Sequence, residues 1–198
     1  MITMKEIRYT ITFHSEWHCG SGMSSGSDLD QLVIKDAAGF PVIPGKTLKG
    51  LLKEAAEEML RLEGKAPEED PFITEFFGYF DEEKHDKSTV HTRGKAFFSD
   101  ATLSSYLKQK AGNELSRFFY RDRASTAIAE DGVARKGSLR RIQTTIPAVL
   151  EACIYKVDES YIPALSMCMQ WVKRLGQNRN RGLGRCTFQI IEEKEAGV

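Results

Sequence analysis

The segment from Thr47 to Leu62 constrains the fold of this chain more than any other stretch. Its apolar residues, Leu48, Leu51, Leu52, Ala55, Met59 and Leu62, recur at three- and four-residue spacing, which places them on one stripe of a helix and keeps Lys46, Lys49 and Lys53 off it. Such a helix needs a flat apolar layer to bury its stripe. The sequence supplies one. Ile7, Tyr9, Ile11 and Phe13 alternate with Arg8, Thr10 and Thr12, predicting a half-buried strand over 5–18, and Ala148, Leu150, Ala152, Ile154 and Tyr155 predict a core strand. A second stripe, Ile162, Leu165, Met169 and Val172 with Cys168 beside it, predicts another helix that ends at Gly176.

The remaining segments read as connectors and short elements. Leu32–Ile34 and Phe40–Ile43 flank the turn Asp36–Gly39 as a hairpin that delivers the chain to the first helix, and Gly64 closes that helix. Asp70-Pro71 predicts a capped short helix carrying Phe72, Phe76, Phe77 and Phe80, whose aromatic stripe is core. Residues 81–93 have no apolar period and form a loop that holds His85 and His91; Ala96–Asp100 is a short strand. Helices and strands that mix without strict alternation predict an α+β fold with a largely antiparallel sheet. A ferredoxin-like βαββαβ core fits, with both amphipathic helices on one face, and this sheet is also the platform of the RNA-recognition motif. At 198 residues and 41% hydrophobic content the chain is expected to form a single domain over 1–198.

No apolar run reaches the roughly 18 residues that span a bilayer, and MITMKEIRYTITF alternates as a strand rather than reading as a signal peptide. A cytoplasmic protein with no membrane partner is expected. Cys19, Cys153, Cys168 and Cys186 form no C-x-x-C pair and have no histidine at ligand spacing, so they read as reduced thiols. No Rossmann or P-loop pattern is present, which argues against a small-molecule enzyme.

The formal net charge is zero, but its distribution is not even. Residues 54–86 hold twelve acids and three bases, residues 117–141 seven bases and three acids, and residues 173–185 five bases and no acid. Two basic blocks of this kind are the footprint of a polyanion partner, or else solvated surface paired with the acidic segment. The first block spans a hairpin about 117–145, turning at Glu130-Asp131-Gly132, with Arg121, Arg123, Arg135, Lys136, Arg140 and Arg141 on its arms. It has few apolar anchors and is expected to project. The second block is a Gly/Arg-rich loop, about 176–185, with Arg179, Arg181 and Arg185 among Gly182 and Gly184.

Candidate chemistry concentrates between Trp17 and Lys53. Gly20, Gly22 and Gly26 among Ser21, Ser24, Ser25 and Ser27 give a loop whose amides could approach a phosphate, and the helix start after Pro44-Gly45 adds a positive dipole end beside Lys46 and Lys49. Asp28 and Asp30 have no use in a simple anion cradle. They are either metal-holding or catalytic carboxylates, or ordinary turn residues.

These residues, taken together, resemble a known family. W-H-C-G-S-G, L-D-Q-L-V-I-K-D, F-P-V-I-P-G-K-T-L-K-G, F-F-G, A-F-F-S-D, R-D-R-A-S-T-A-I-A-E-D-G-V-A-R-K-G-S-L and R-N-R-G-L-G-R follow in the order found in the RAMP superfamily of CRISPR-associated proteins. The similarity is greatest to the backbone subunit of type III effector complexes. It covers about Ile11 to Ile190 and is weakest around 81–93. It implies an RRM-like core, assembly in multiple copies as a filament with other effector subunits, and binding of guide (cr)RNA and target RNA. Guide contacts are implied for the loop at Gly20-Ser21 and for His18, Lys46, Lys49 and Lys53, and the hairpin would be a thumb inserted between guide and target. Arg121, Arg123, Arg135, Arg140, Arg179 and Arg181 complete the expected RNA-binding set. Gln177 and Asn178 depart from the family's more Gly-rich loop.

The resemblance also implies that a single aspartate before the short apolar run supports metal-dependent cleavage of target RNA. Asp30 occupies that place, with Asp28 two residues away. The cation, Mg²⁺ or another divalent ion, would be weakly bound at Asp30 and completed by RNA phosphates, since one or two carboxylates make no dedicated cage. Two other readings belong to the same family: a non-catalytic RNA scaffold, and a metal-independent guide-processing endoribonuclease that would use His14 or His18 as general acid or base. The last typically carries two RRM-like domains, and this chain has room for one.

Overall fold

A computed structural model describes residues 3–24, 29–79 and 92–195. In chain order the elements are β1 (Met4–Phe13), β2 (Val42–Ile43), α1 (Gly45–Leu62), β3 (Gly78–Tyr79), β4 (Thr92–Arg93), β5 (Phe97–Phe98), β6 (Ala101–Thr102), α2 (Ser105–Ala111), β7 (Tyr120–Ser125), β8 (Arg140–Thr145), β9 (Val149–Asp158), α3 (Ile162–Trp171) and β10 (Cys186–Glu195). The main sheet runs β10-β1-β9-β6-β2, with β5 also on β9, and its strand pairs are antiparallel. Phe188, Ile11 and Leu150 stand in one row across β10, β1 and β9. All three are buried, so the alternation in β1 marks the face that carries the core. The opposite face is polar at its centre, where Arg8 pairs with Glu192 at 3.0 Å and with Glu151 at 3.8 Å.

Helix α1 buries Leu48, Leu52, Ala55 and Ala56, whereas Leu62, the last member of the expected stripe, is 70% exposed. The stripe therefore turns toward Ala56 and leaves the sheet before the helix ends. Trp171 of α3 donates its indole N–H to Glu58 of α1 at 2.9 Å. The Phe-rich segment is one π-helical turn, Phe72–Phe77, started by the Asp70 carboxylate accepting from Phe72 N–H at 2.8 Å. Phe72, Ile73, Phe76 and Phe77 are core, as the sequence predicts. Phe80, His85 and His91 lie outside the described residues.

Three boundaries differ from the sequence expectations. β1 stops at Phe13, because the chain bends at His14-Ser15 so that Trp17 can stack on Phe13 at 4.5 Å and bridge to Thr145. The strand expected over 96–100 is broken. Ser99 accepts Cys153 N–H on its hydroxyl at 2.9 Å, and the carboxylate of Asp100 turns away to Gly45. α3 ends at Trp171 rather than Gly176, since Val172 is extended and Leu175 N–H donates to Gly184 O at 2.9 Å. Cys19, Cys168 and Cys186 are buried free thiols, and burial pushes them up to about 11, 12 and 12, so they are unreactive core groups.

Candidate RNA-binding and cleavage site

The site is built on the segment after β1. Between Trp17 and Val33 the chain folds back on itself: Gly20 bridges Val33, Ser21 N–H donates to Leu32 O at 2.9 Å, and the Ser21 hydroxyl also donates to Leu32 O at 3.1 Å. The Ser21 amide thus serves a local ladder. Ser25, Gly26, Ser27 and Asp28 lie outside the described residues.

Asp30 is held by the far strand of the basic hairpin. Its N–H donates to Arg141 O at 2.8 Å, and its Oδ2 accepts Arg141 N–H at 2.7 Å, so backbone and side chain of Asp30 grip the two peptide units that flank Arg141. Gln143 N–H donates to Gln31 O at 3.0 Å, continuing the contact. Asp30 is exposed, and Oδ1 has no partner among the described residues. The hairpin β7–β8 is therefore not free-standing at its base, where Thr144 and Thr145 are fully buried. The segment beyond Ser125 carries Arg135 and is exposed, with Ile128 at 72% and Val133 at 61%.

A cleft of about 450 Å³ opens beside Asp30. Arg123 and Arg140 of the hairpin line it, and Gln177, Asn178 and Arg181 of the C-terminal loop form its far wall. Three guanidiniums around one carboxylate suit a phosphodiester held by charge-assisted hydrogen bonds. Four expected site residues, Asp30, Arg123, Arg140 and Arg181, are brought together here from three separate segments. Arg121 and Arg123 both pair with Glu16, at 3.5 and 2.7 Å, and Thr144 donates its hydroxyl to the same carboxylate at 2.8 Å. Burial pushes the Glu16 carboxyl up, but the bonds from Arg123 and Thr144 and the charge of Arg121 outweigh it and hold the group below its usual range.

The wall is mounted from beneath by His18. His18 is fully buried; its Nδ1 donates to Gln143 O at 2.6 Å, so Nδ1 carries the proton, and its carbonyl accepts Gln177 N–H at 2.8 Å. Contact between this ring and RNA, expected from the resemblance, is not available in this conformation, and its place is structural. Gly176 crosses His18 at φ +98, where an added Cβ would lie 2.4 Å from the His18 carbonyl oxygen. Asn178, at the departure from the Gly-rich pattern, adopts the left-handed φ of 56 that asparagine tolerates best after glycine. His14 shares a hydrogen bond with the Thr187 hydroxyl at 3.0 Å.

The other expected basic residues lie elsewhere. Lys46 and Lys49 line a second cleft, of about 680 Å³, that shares no lining residue with the first. Burial, with repulsion from Lys53 and Arg93, lowers the Lys49 ammonium from its ordinary value. Lys53 is already engaged, donating to Gly78 O at 2.8 Å and pairing with Glu57 at 3.7 Å. Arg179 lines a groove against Trp171 and Glu58. The start of α1 is not an open anion site either: Gly45 N–H donates to Asp100 Oδ1 at 2.8 Å, so the chain's own carboxylate occupies the positive end. Glu16 and Asp100 were not singled out by sequence reasoning. Lone acids far away in sequence carry no local signal.

Among the described residues no three His, Cys, Asp or Glu side chains cluster as metal ligands. One free carboxylate oxygen beside three arginines fits a cation only where RNA phosphates supply the other ligands. No helix of the described residues is long and apolar enough to cross a membrane.

An antiparallel sheet with α1 and α3 packed together, and a basic hairpin docked beside a carboxylate, define an α+β protein with an arginine-lined cleft. The sequence profile of the RAMP superfamily matches residues 10–187, and the chain belongs to that superfamily. Similar solved structures include a chain of the type III-B Cmr-beta complex in its apo state, with TM-score 0.68, 15% identity, and coverage of 94% of this chain and 97% of that one. A chain of the type III-B Cmr-beta complex bound to cognate target RNA matches with TM-score 0.68 and 14% identity, over 93% of this chain and 96% of that one. At these identities the likeness is one of fold. Comparison with curated protein sequences finds no match.

Proposed function

We propose that this chain is the guide-RNA-binding backbone subunit of a type III CRISPR effector complex, assembled in several copies, and that it cleaves guide-complementary target RNA at Asp30. The observation that carries the proposal is the cleft in which Asp30, fixed by Arg141, stands with Arg123, Arg140 and Arg181. The strand order β10-β1-β9 with β5 and β6 beyond it, and the two helices packed together, support a ferredoxin-like, RRM-like core. The hairpin serves as the thumb.

In this reading Arg140 and Arg181 hold the phosphate next to the scissile bond and orient it, while Arg123 remains shared with Glu16. Asp30 holds the attacking 2′-OH side of the nucleotide in line with the leaving oxygen. Asp30, with RNA phosphates, would hold a divalent cation, which would supply charge to stabilise the oxygens on phosphorus. Lys46 and Lys49 bind guide backbone, and specificity comes from base pairing.

The test is cleavage of a guide-complementary RNA by the reconstituted complex in Mg²⁺, with target binding measured in parallel. Asp30→Ala should abolish cleavage and leave binding intact. Continued cutting by Asp30→Ala would assign the chemistry to Asp28 or to another subunit and leave this chain as an RNA scaffold. The histidine-based guide-processing reading has little support, because His18 is buried and His14 is engaged with Thr187.

A further inference from the structure

The second cleft contains a feature that phosphate binding does not explain. Along β9 the residues alternate between core and surface up to Ile154, but Tyr155 and Lys156 are both exposed. The cause is a bulge. Lys5 pairs with Val157 and Ile7 with Ile154, so Glu6 faces two residues, and Lys156 takes a left-handed φ of 58. A lysine pays strain in that conformation, and a glycine would not. The bulge places two consecutive side chains at one cleft, lined also by Lys46, Lys49, Arg93 and Phe97.

Phe97 stands directly opposite Tyr155 across the β5–β9 pair, with ring centroids 5.9 Å apart, too close to admit a base between them. Phe97 is 62% exposed, so its outer face is open to a planar ligand. No carboxylate lines the cleft among the described residues, and Lys46, Lys49 and Lys156 form no ion pair with them. A cross-strand aromatic pair can stabilise a sheet without any ligand. Cross-strand pairing alone leaves unexplained both the strained lysine and the five cations around an exposed ring, of which Lys95 alone forms an ion pair, with Glu75, among the described residues.

We propose that Phe97 and Tyr155 form a stacking platform for an unpaired nucleobase of single-stranded RNA, with Lys156 and Lys49 on the phosphates to either side. This inference rests on the RNA-binding reading above and adds to it a contact that is aromatic rather than electrostatic. The mechanism is that of sequence-tolerant single-strand binders, in which a ring takes any base while cations track the backbone. A second copy of the chain is the competing occupant of the same face, and the test separates the two.

The experiment measures affinity for single-stranded RNA as a function of salt, together with sedimentation of the protein alone and its thermal unfolding. Phe97→Leu with Tyr155→Leu keeps apolar bulk and removes both rings; it should weaken RNA binding about 5- to 150-fold with the slope of log Kd against log salt unchanged. Lys156→Gly relieves the backbone strain, so it should unfold no earlier than wild type while its salt slope falls by about 0.7. A double leucine variant that binds RNA like wild type overturns the platform, whether or not its self-association changes, and leaves the RNA-binding reading standing. Failure of the wild-type chain to bind RNA overturns both.

Discussion

Replacing Glu16 with Gln should destabilise the protein and strengthen its binding of RNA, two effects of opposite sign from one site. The Glu16 side chain is 12% exposed, while its partners Arg121 and Arg123 are 67% and 53% exposed. Gln keeps the shape and can still accept from Thr144, but it loses the charge-assisted bonds. Hydrogen bonds to charged groups contribute about 1.5–3 kcal/mol, discounted here because the arginines are wet, so a net loss of about 1–3 kcal/mol is expected. In a chain of this length that lowers Tm by about 2–12 °C. Of the released guanidiniums Arg123 lines the cleft, and each new phosphate contact steepens the salt dependence by about 0.7, up to about 1.4 where both arginines take one. The pH dependence follows from the same bonds. Glu16 is held below the ordinary glutamate value of 4.5, so its contribution is complete above that pH and is lost as pH falls through the lower folded value. The variant should lack that part of the acid sensitivity. Thermal unfolding at pH 7 and pH 3.5, with RNA titrations at two salt concentrations, reads all three effects. Weaker RNA binding by Glu16→Gln would instead mean that Glu16 orients the arginines for RNA rather than withholding them.

Other consequences are equally direct. Gly176→Ala places a Cβ 2.4 Å from the His18 carbonyl at a left-handed φ, and should cost about 2–5 kcal/mol by denaturant unfolding. Asp100→Ala removes the acceptor for Gly45 N–H at the start of α1 and should cost about 0.5–2 kcal/mol. Lys49→Ala should weaken binding of all targets alike and lower the salt slope by about 0.7, measured on matched and mismatched RNAs; a loss confined to some sequences would contradict it.

The core was legible in the sequence because its signals are periodic. Alternation in Ile7–Phe13 and the stripe from Leu48 to Ala55 name the buried faces without reference to any other segment. Charge counts marked the basic blocks and the family pattern pointed to Asp30, but neither shows which arginines meet. Arg123, Arg140 and Arg181 share a cleft because β8 docks on Asp30 and Gly176 crosses His18, contacts between residues more than 100 positions apart. The same distance hid Glu16, whose role depends on Arg121, Arg123 and Thr144. The engagement of the Ser21 amide was hidden for a related reason. Composition shows that amides can approach a ligand, not that Leu32 already accepts from Ser21. The break at Ser99-Asp100 followed from a tertiary demand, the cap of α1, that overrode the local strand preference.

The most direct measurement is the position of RNA in the assembled complex, determined with a guide and a target that carries a single 2′-deoxy nucleotide at the cleavage site to prevent reaction. The target phosphate is expected within hydrogen-bond reach of Arg140 and Arg181, with the Asp30 carboxylate facing the deoxy position. Target RNA running past another face, with Asp30 left in solvent, would contradict it.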